Sequence, residues 1–246
     1  MCSGIHEYVD RVVKKLPPVQ GTLLTKEDFA SGRHVEMIAE MGLLDHAQLN
    51  SDEYRIRRKD EMIALAPKDD PMVWVFGYGS LIWNPAFDYD ERRVGTLHGY
   101  HRQFCFWSTI GRGTPDCPGM MLALDRGGSC RGVVLGVERE RASEELTSVF
   151  MRELTGQTYH PKLLRVMTDE GPVAAITFVA NRACDNYAGR RPPEEIARHI
   201  AQGCGHLGPC RDYLFNTTEH LEALGIRDRR MRKLCRLVER YADEQD

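Results

Sequence analysis

A chain of 246 residues, 42% hydrophobic and 28% charged, is long enough to bury a sizeable core and too apolar to stay disordered. Its 33 basic and 36 acidic residues leave a formal net charge of −3, which gives no whole-molecule case for binding nucleic acid or an anionic membrane. No stretch approaches the roughly 18 apolar residues of a membrane span, and Met1 to Glu7 carry neither the basic nor the apolar region of a secretory signal, so a cytoplasmic protein is expected.

Residues 1–70 differ in texture from the rest of the chain, and we read them as an N-terminal helical arm or linker ahead of a single domain over residues 71–246. Pro17-Pro18 interrupts an early segment. Thr25 is placed to cap a helix that carries Glu27 and Asp28 in its first turn. Val35, Ile38 and Ala39, then Gly42 and Leu43, continue at helical spacing to a glycine stop. Residues 50–70 are densely charged, which predicts a solvated arm, with an oligomer contact as the alternative.

From residue 72 the pattern changes to short strands. Residues 72–78 form the first. Residues 93–97 and 100–107 flank His98-Gly99, which reads as a tight hairpin turn. Gly111-Arg112-Gly113 and Pro118-Gly119 are loop signals, and Arg112 lies in what reads as a mobile loop. Residues 120–125 and 130–138 are strands around Arg126-Gly127-Gly128-Ser129, and residues 162–168 and 173–180 pair around Asp169-Glu170-Gly171-Pro172. One helix, residues 142–153 with Ser143 as N-cap, interrupts the strands. Helices over 194–201 and 211–224, the latter ended by Gly225, and a final helix with Met231, Leu234, Cys235, Val238 and Tyr241 on one stripe complete the chain. The class is α+β, with a mixed sheet curled toward a barrel.

Three groups of residues are candidates for chemistry. Leu146, Val149, Phe150 and Glu153 share one helical face, so the glutamate points where the core residues point, at the helix C-terminus. Burial and the macrodipole both oppose a negative charge there, which suits a proton-accepting role, whereas an ion pair with Arg152 or Arg165 would make it structural. Gly77-Tyr78-Gly79-Ser80 lacks the third glycine of a dinucleotide fingerprint, Ile82 standing there. That leaves a structural bend or a backbone nest for an anion. Arg112 is suited to fork onto a carboxylate. His199, Cys204, His206 and Cys210 have no familiar zinc spacing, and the eight scattered cysteines fit reduced thiols. The terminal basic cluster from Arg227 to Arg236 reads as the polar face of a packed helix.

The string Phe76-Gly77-Tyr78-Gly79-Ser80-Leu81-Ile82-Trp83-Asn84-Pro85, followed by Arg112-Gly113-Thr114, Pro118-Gly119, Arg152-Glu153, Tyr159 and Tyr213-Leu214-Phe215, closely resembles the ChaC family of γ-glutamylcyclotransferases over about residues 72–240. The resemblance implies a small mixed β-barrel with surrounding helices. It implies cleavage of glutathione by cyclisation to 5-oxoproline and cysteinylglycine, without metal or organic cofactor. It puts Glu153 where the family has its catalytic glutamate, Tyr78, Gly79, Ser80 and Leu81 in the substrate-cradling loop, and Tyr159 and Tyr213 at aromatic positions near the site, with Arg112 a further substrate contact. Leu154-Thr155-Gly156-Gln157-Thr158 departs from the family pattern by lacking Gly-Gly ahead of Tyr159. Cyclisation of other γ-glutamyl amines or amino acids, and γ-glutamyl binding without turnover, are the alternatives. The oligomeric state is not legible.

Overall fold

The strand β1 (Met72–Gly77) is buried on both faces, which is why its sequence is a continuous apolar run. The structure, a computed structural model, describes residues 24–40 and 49–243. The Met1–Glu7 terminus, Pro17-Pro18 and the Gly42 stop lie outside the described residues. Trp74 and Phe76 of β1 join one core with Leu97, Leu122, Leu124 and Val134, while Val73 and Val75 join a second with Val133, Leu135 and Ile176. The period of two in a strand puts alternate residues on opposite faces, so one strand serves two cores.

Five strands close a barrel in the order β1, β3, β2, β4, β5. β2 (Glu91–Ser108) and β3 (Gly119–Glu138) are long antiparallel partners, β4 (Tyr159–Thr168) and β5 (Gly171–Ala180) form a hairpin, and β5 returns parallel to β1 through Trp74 opposite Ala175 and Val75 opposite Ile176. The β4–β5 hairpin matches its sequence signals. The two turns expected at His98-Gly99 and at Gly127-Gly128 are not hairpins. Each sits inside a continuous strand, where the register shifts between His98 and Tyr100 and the positive φ of Gly99 (85°), Gly127 (100°) and Gly128 (71°) makes a bend. The glycines are the same signal in both cases, since a bulge and a turn both need the left-handed region.

Four short or medium helices flank the first strands and the barrel's second core. α1 (Lys26–Ala30) has the Thr25 capping box, in which Thr25 Oγ1 accepts from the Asp28 amide and Asp28 Oδ2 accepts from the Thr25 amide. α2 (Arg33–Glu40) follows a break at Gly32, whose φ is +80°. α3 (Asp52–Leu65) is not a solvated arm. Arg55, Lys59 and Met62 are buried against α4 (Arg139–Glu153). Lys59 Nζ donates to the Ser143 carbonyl (2.8 Å) and to Thr147 Oγ1 (3.1 Å). Long cationic side chains bury their stems and let the heads find acceptors, so a charged sequence can still pack. α4 itself starts at Arg139, three residues earlier than expected, and Ser143 lies inside it rather than capping it. Leu146, Val149 and Phe150 are almost fully buried in the second core, as their spacing predicts.

α5 (Pro193–Gln202), α6 (Cys210–Ala223) and α7 (Arg229–Asp243) cover the first core through Ile196, Ile200, Leu214, Leu234 and Val238. Gly225 (φ +70°) ends α6 in a Schellman pattern, with Ile226 N–H to Leu221 O at 2.8 Å and Gly225 N–H to Glu222 O at 2.9 Å. A small ribbon, β6 (Cys204–Gly205) with β7 (Gly208–Pro209), joins α5 to α6.

Candidate active site

Where β1 ends, the chain folds into a single 3-10 turn, Ser80–Ile82. The amides of Ile82, Trp83 and Asn84 close back on the carbonyls of Gly79 and Ser80. The hydroxyl of Tyr213 on α6 comes close to this turn, and a Cβ at Gly79 would stand 2.7 Å from it. Gly79 is therefore a matter of room: its missing side chain lets Tyr213 reach the turn.

Glu153 is the last residue of α4. Its carboxylate is held by its own neighbour, since Arg152 Nε and Nη2 both meet Glu153 Oε1, at 2.9 and 2.8 Å. Among the described residues no hydrogen-bond donor reaches Oε2. The same guanidinium donates to the Asn84 carbonyl (2.8 Å) and to Ser80 Oγ (3.3 Å). Arg152 thus ties the turn after β1 to the end of α4. In the sequence alone this ion pair counts only as a sign that Glu153 is structural. Both side chains are only about one-eighth exposed, at 13% and 12%, and both line a cavity, so the pair belongs to a site. The adjacency Arg152-Glu153 within a motif was the available signal.

The cavity, about 540 Å³, is walled by Ser80, Trp83, Arg112, Glu153, Tyr159 and Tyr213 among others. That is a size common for small-molecule sites. Tyr213 packs edge-on against Trp83 and Phe104, each at 6.2 Å between ring centroids. Burial and the Glu153 charge push its phenol up to about 12. Tyr159 donates from its hydroxyl to the Leu122 carbonyl (2.7 Å), and burial, with Tyr78 and Glu153 nearby, pushes its phenol well above the usual range. Both phenols therefore stay protonated near neutral pH and can donate hydrogen bonds. Burial lowers the Arg112 guanidinium from its usual value. Arg112 donates to the Pro209 carbonyl at 3.2 Å. Its loop is tightly packed rather than mobile-looking, since a Cβ at Gly113 would stand 2.2 Å from the Gly119 amide nitrogen.

Of the four residues expected to cradle a ligand, Ser80 alone lines the cavity. Tyr78 is buried and donates to the Phe178 carbonyl (2.9 Å), pinning the end of β1 to β5. Leu81 is buried in the second core, and Gly79 backs the Tyr213 hydroxyl. His199 and Cys210 are engaged elsewhere: His199 Nδ1 lies 3.0 Å from the Pro118 carbonyl, and the Cys210 thiol donates to the Met120 carbonyl. Among the described residues no three His, Cys, Asp or Glu side chains are grouped to hold a metal ion.

The family model described as ChaC-like protein matches residues 73–241, which span the barrel and every residue of the cavity wall named above. The chain is 39% identical over 188 residues to the glutathione-specific gamma-glutamylcyclotransferase of Escherichia coli (strain K12), spanning 76% of this chain and 81% of that protein. It is 36% identical over 185 residues to gamma-glutamylcyclotransferase 2-3 of Arabidopsis thaliana, spanning 71% and 92%. Among solved structures, the selenomethionine-labelled γ-glutamyl cyclotransferase specific to glutathione from yeast superposes with a TM-score of 0.65 at 22% identity, over 71% of this chain and 99% of that one, which is a likeness of fold.

Proposed function

The chain belongs to the ChaC-like family, and on that premise we propose that its cavity cleaves the γ-glutamyl amide of glutathione by cyclisation, with Glu153 moving the proton. The products are 5-oxoproline and Cys-Gly. The substrate's own α-amine is the nucleophile. Its nitrogen forms a bond to the γ-carbonyl carbon while the bond from that carbon to the cysteinyl nitrogen breaks. The reaction is intramolecular, so holding the γ-glutamyl arm folded supplies much of the acceleration. Amine and amide both reside in the substrate, and the chemistry calls for neither metal nor organic cofactor.

One proton must leave the α-ammonium and one must arrive on the departing nitrogen. The observation that carries the assignment is the Glu153 carboxylate in the cavity wall, gripped by Arg152 through Oε1. Oε2 is then the oxygen that takes the proton and returns it. The protonated phenol of Tyr213 is a hydrogen-bond donor for the carbonyl oxygen as it gains charge, while Tyr159, whose proton goes to the Leu122 carbonyl, contributes its ring to the wall. Arg112 and Ser80 serve as contacts for the polar ends of the tripeptide. Tyr78, Gly79 and Leu81 act from behind the wall, by fixing the turn and Tyr213.

We also propose a cytoplasmic location and action without nucleic acid, supported by seven free cysteines among the described residues and by the net charge of −3. No helix among the described residues is long and apolar enough to cross a membrane. The division at residue 70 stands as a proposal too, an N-terminal helical arm ahead of one catalytic domain, supported by the packing of residues 52–65 on α4. The test is Glu153→Gln with glutathione and a panel of γ-glutamyl compounds, reading 5-oxoproline. Turnover should fall by about 10²- to 10⁴-fold while the melting temperature holds. A variant that releases 5-oxoproline at near the parent rate would refute Glu153 as the base.

A further inference from the structure

The residues ahead of the family-matched region do not merely lie alongside the barrel. Leu24, Phe29, His34, Ile38 and Leu49 all line the cavity that holds Glu153. Two contacts reach the Arg152–Glu153 pair itself. The Phe29 ring lies under the Arg152 guanidinium, with 5.5 Å from its centroid to Arg152 Cζ. Asn50 grips the chain just after Glu153: its amide side chain donates to the carbonyls of Leu154 (3.0 Å) and Gly156 (2.8 Å), and its backbone amide donates to the Thr155 carbonyl (3.0 Å). One turn earlier, Arg55 Nη1 donates to the Met151 carbonyl (3.2 Å). A helix C-terminus leaves its last carbonyls without partners inside the helix. Thr155 Oγ1 caps the Met151 and Arg152 carbonyls (2.8 and 3.0 Å), Arg55 adds a second donor to Met151, and Asn50 takes the three carbonyls just beyond the helix, so this segment helps hold the chain on both sides of Glu153.

We propose that residues 24–40 and 49–55 are a working part of the catalytic site, with Phe29 and Asn50 as positioning residues for the Arg152–Glu153 pair. This rests on the reading of Glu153 as the proton carrier. Phe29 holds the plane of the guanidinium by its ring face, a contact that an aliphatic side chain of similar bulk does not make. Asn50 holds the backbone just beyond the glutamate, so that the carboxylate keeps its angle to the cavity. Phe29 lines the cavity at its edge and Asn50 stands outside it, and both act on the reacting atoms only through the Arg152–Glu153 pair, so their effect falls on turnover more than on substrate binding.

The experiment compares Phe29→Leu, Phe29→Tyr and Asn50→Ala in the full chain. Phe29→Leu should lower kcat by about tenfold with KM little changed, whereas Phe29→Tyr, which keeps the ring, should retain parent turnover. Asn50→Ala should lower kcat by about tenfold as well, again with KM little changed. Equal kcat for Phe29→Leu and Phe29→Tyr, or an unchanged kcat for Asn50→Ala, overturns the proposal. Were Asn50→Ala to fail to fold, the Leu and Tyr pair would still decide. A second readout needs no substrate. The Arg152 Nε–H resonance should be shifted by the Phe29 ring current in the parent and in Phe29→Tyr, and should lose that shift in Phe29→Leu. A parent chain without activity on glutathione would sink the proposed reaction. The resonance would still decide whether Phe29 holds Arg152, and an Arg152 signal indifferent to Phe29→Leu would overturn that.

Discussion

Substituting Gly79→Ala tests whether the Tyr213 hydroxyl is seated as described. The added Cβ would stand 2.7 Å from Tyr213 Oη and 3.3 Å from Leu122 Cδ2, while the next atom of the phenol, Cζ, is 3.9 Å away. Reaching ordinary contact requires the hydroxyl to retreat by about 0.7 Å. Tyr213 has little freedom to do so, because Trp83 and Phe104 pack edge-on against its ring. Overpacking of this kind costs about 1–3 kcal/mol. In a chain of this size each kcal/mol lowers the melting temperature by about 2–4 °C. A shift of most of an ångström in a cavity-lining phenol should also cut kcat by roughly tenfold or more. Tyr213→Phe removes the clashing oxygen and leaves Cζ at an ordinary distance. In that background Gly79→Ala should cost about 1–2 kcal/mol less than in the parent, while any backbone cost of the new methyl cancels in the cycle. Denaturant unfolding of the four proteins measures this. Costs that add within about 0.5 kcal/mol would show that the hydroxyl does not occupy the space above Gly79.

Arg102→Met should destabilise the fold by about 2–4 kcal/mol, because it removes the donors to the Tyr78 and Arg131 carbonyls at 2.6 and 2.7 Å and to Asp228 Oδ2; unfolding midpoints within error of the parent would contradict it. Burial pushes His34, His206 and His220 below the usual histidine value. The unfolded chain therefore takes up protons that the native one refuses, so stability should be full above about pH 6.5 and fall as pH drops below it. Unfolding midpoints that stay flat or rise between pH 7.5 and 5.5 would show that these rings are not held neutral. Thiol alkylation of the native protein followed by mass spectrometry should label exposed Cys117 and Cys204 first. Cys210, pushed up to about 11 by burial, and fully buried Cys105 should label last; rapid labelling of either would mean their cores open.

What the sequence made legible was whatever comes from local periodicity. The apolar stripe of α4, with Glu153 on its face, and the β4–β5 hairpin around Asp169-Glu170-Gly171-Pro172 came from patterns that need no distant partner. The bends at Gly99 and Gly127-Gly128 did not, because a glycine with positive φ serves a turn and a bulge alike, and only the register across β2 and β3 separates them. The docking of α3 was hidden for a different reason. Arg55 and Lys59 count as solvated charges until the carbonyls of α4 that receive them are known. In the site, Glu153, Tyr159, Tyr213, Arg112 and Ser80 converge on one cavity, whereas Tyr78 and Leu81 turn away. A motif names the residues of a turn without saying which of them face inward. The Arg152–Glu153 ion pair was foreseen only as a structural one, because Arg152's place in the site needs three acceptors, Glu153, Ser80 and Asn84, that only the fold assembles.

The parallel pairing of β1 with β5 has a consequence for how the chain comes into being. Thr177 Oγ1 donates to the Phe76 carbonyl and Tyr78 Oη to the Phe178 carbonyl, across separations of 101 and 100 residues. At a synthesis rate of about 5–20 residues per second, β1 leaves the ribosome roughly 5–20 s before the strand that completes it. Throughout that interval, even after β3 has paired with one edge of Val73-Trp74-Val75-Phe76, the other edge has no partner, and such an apolar edge is the kind of segment that recruits other chains. A chain truncated before residue 180 thus has no route to a partly active barrel and a ready one to aggregation. Cleavage of substrate begins only once the newest hundred residues have folded back onto the oldest strand.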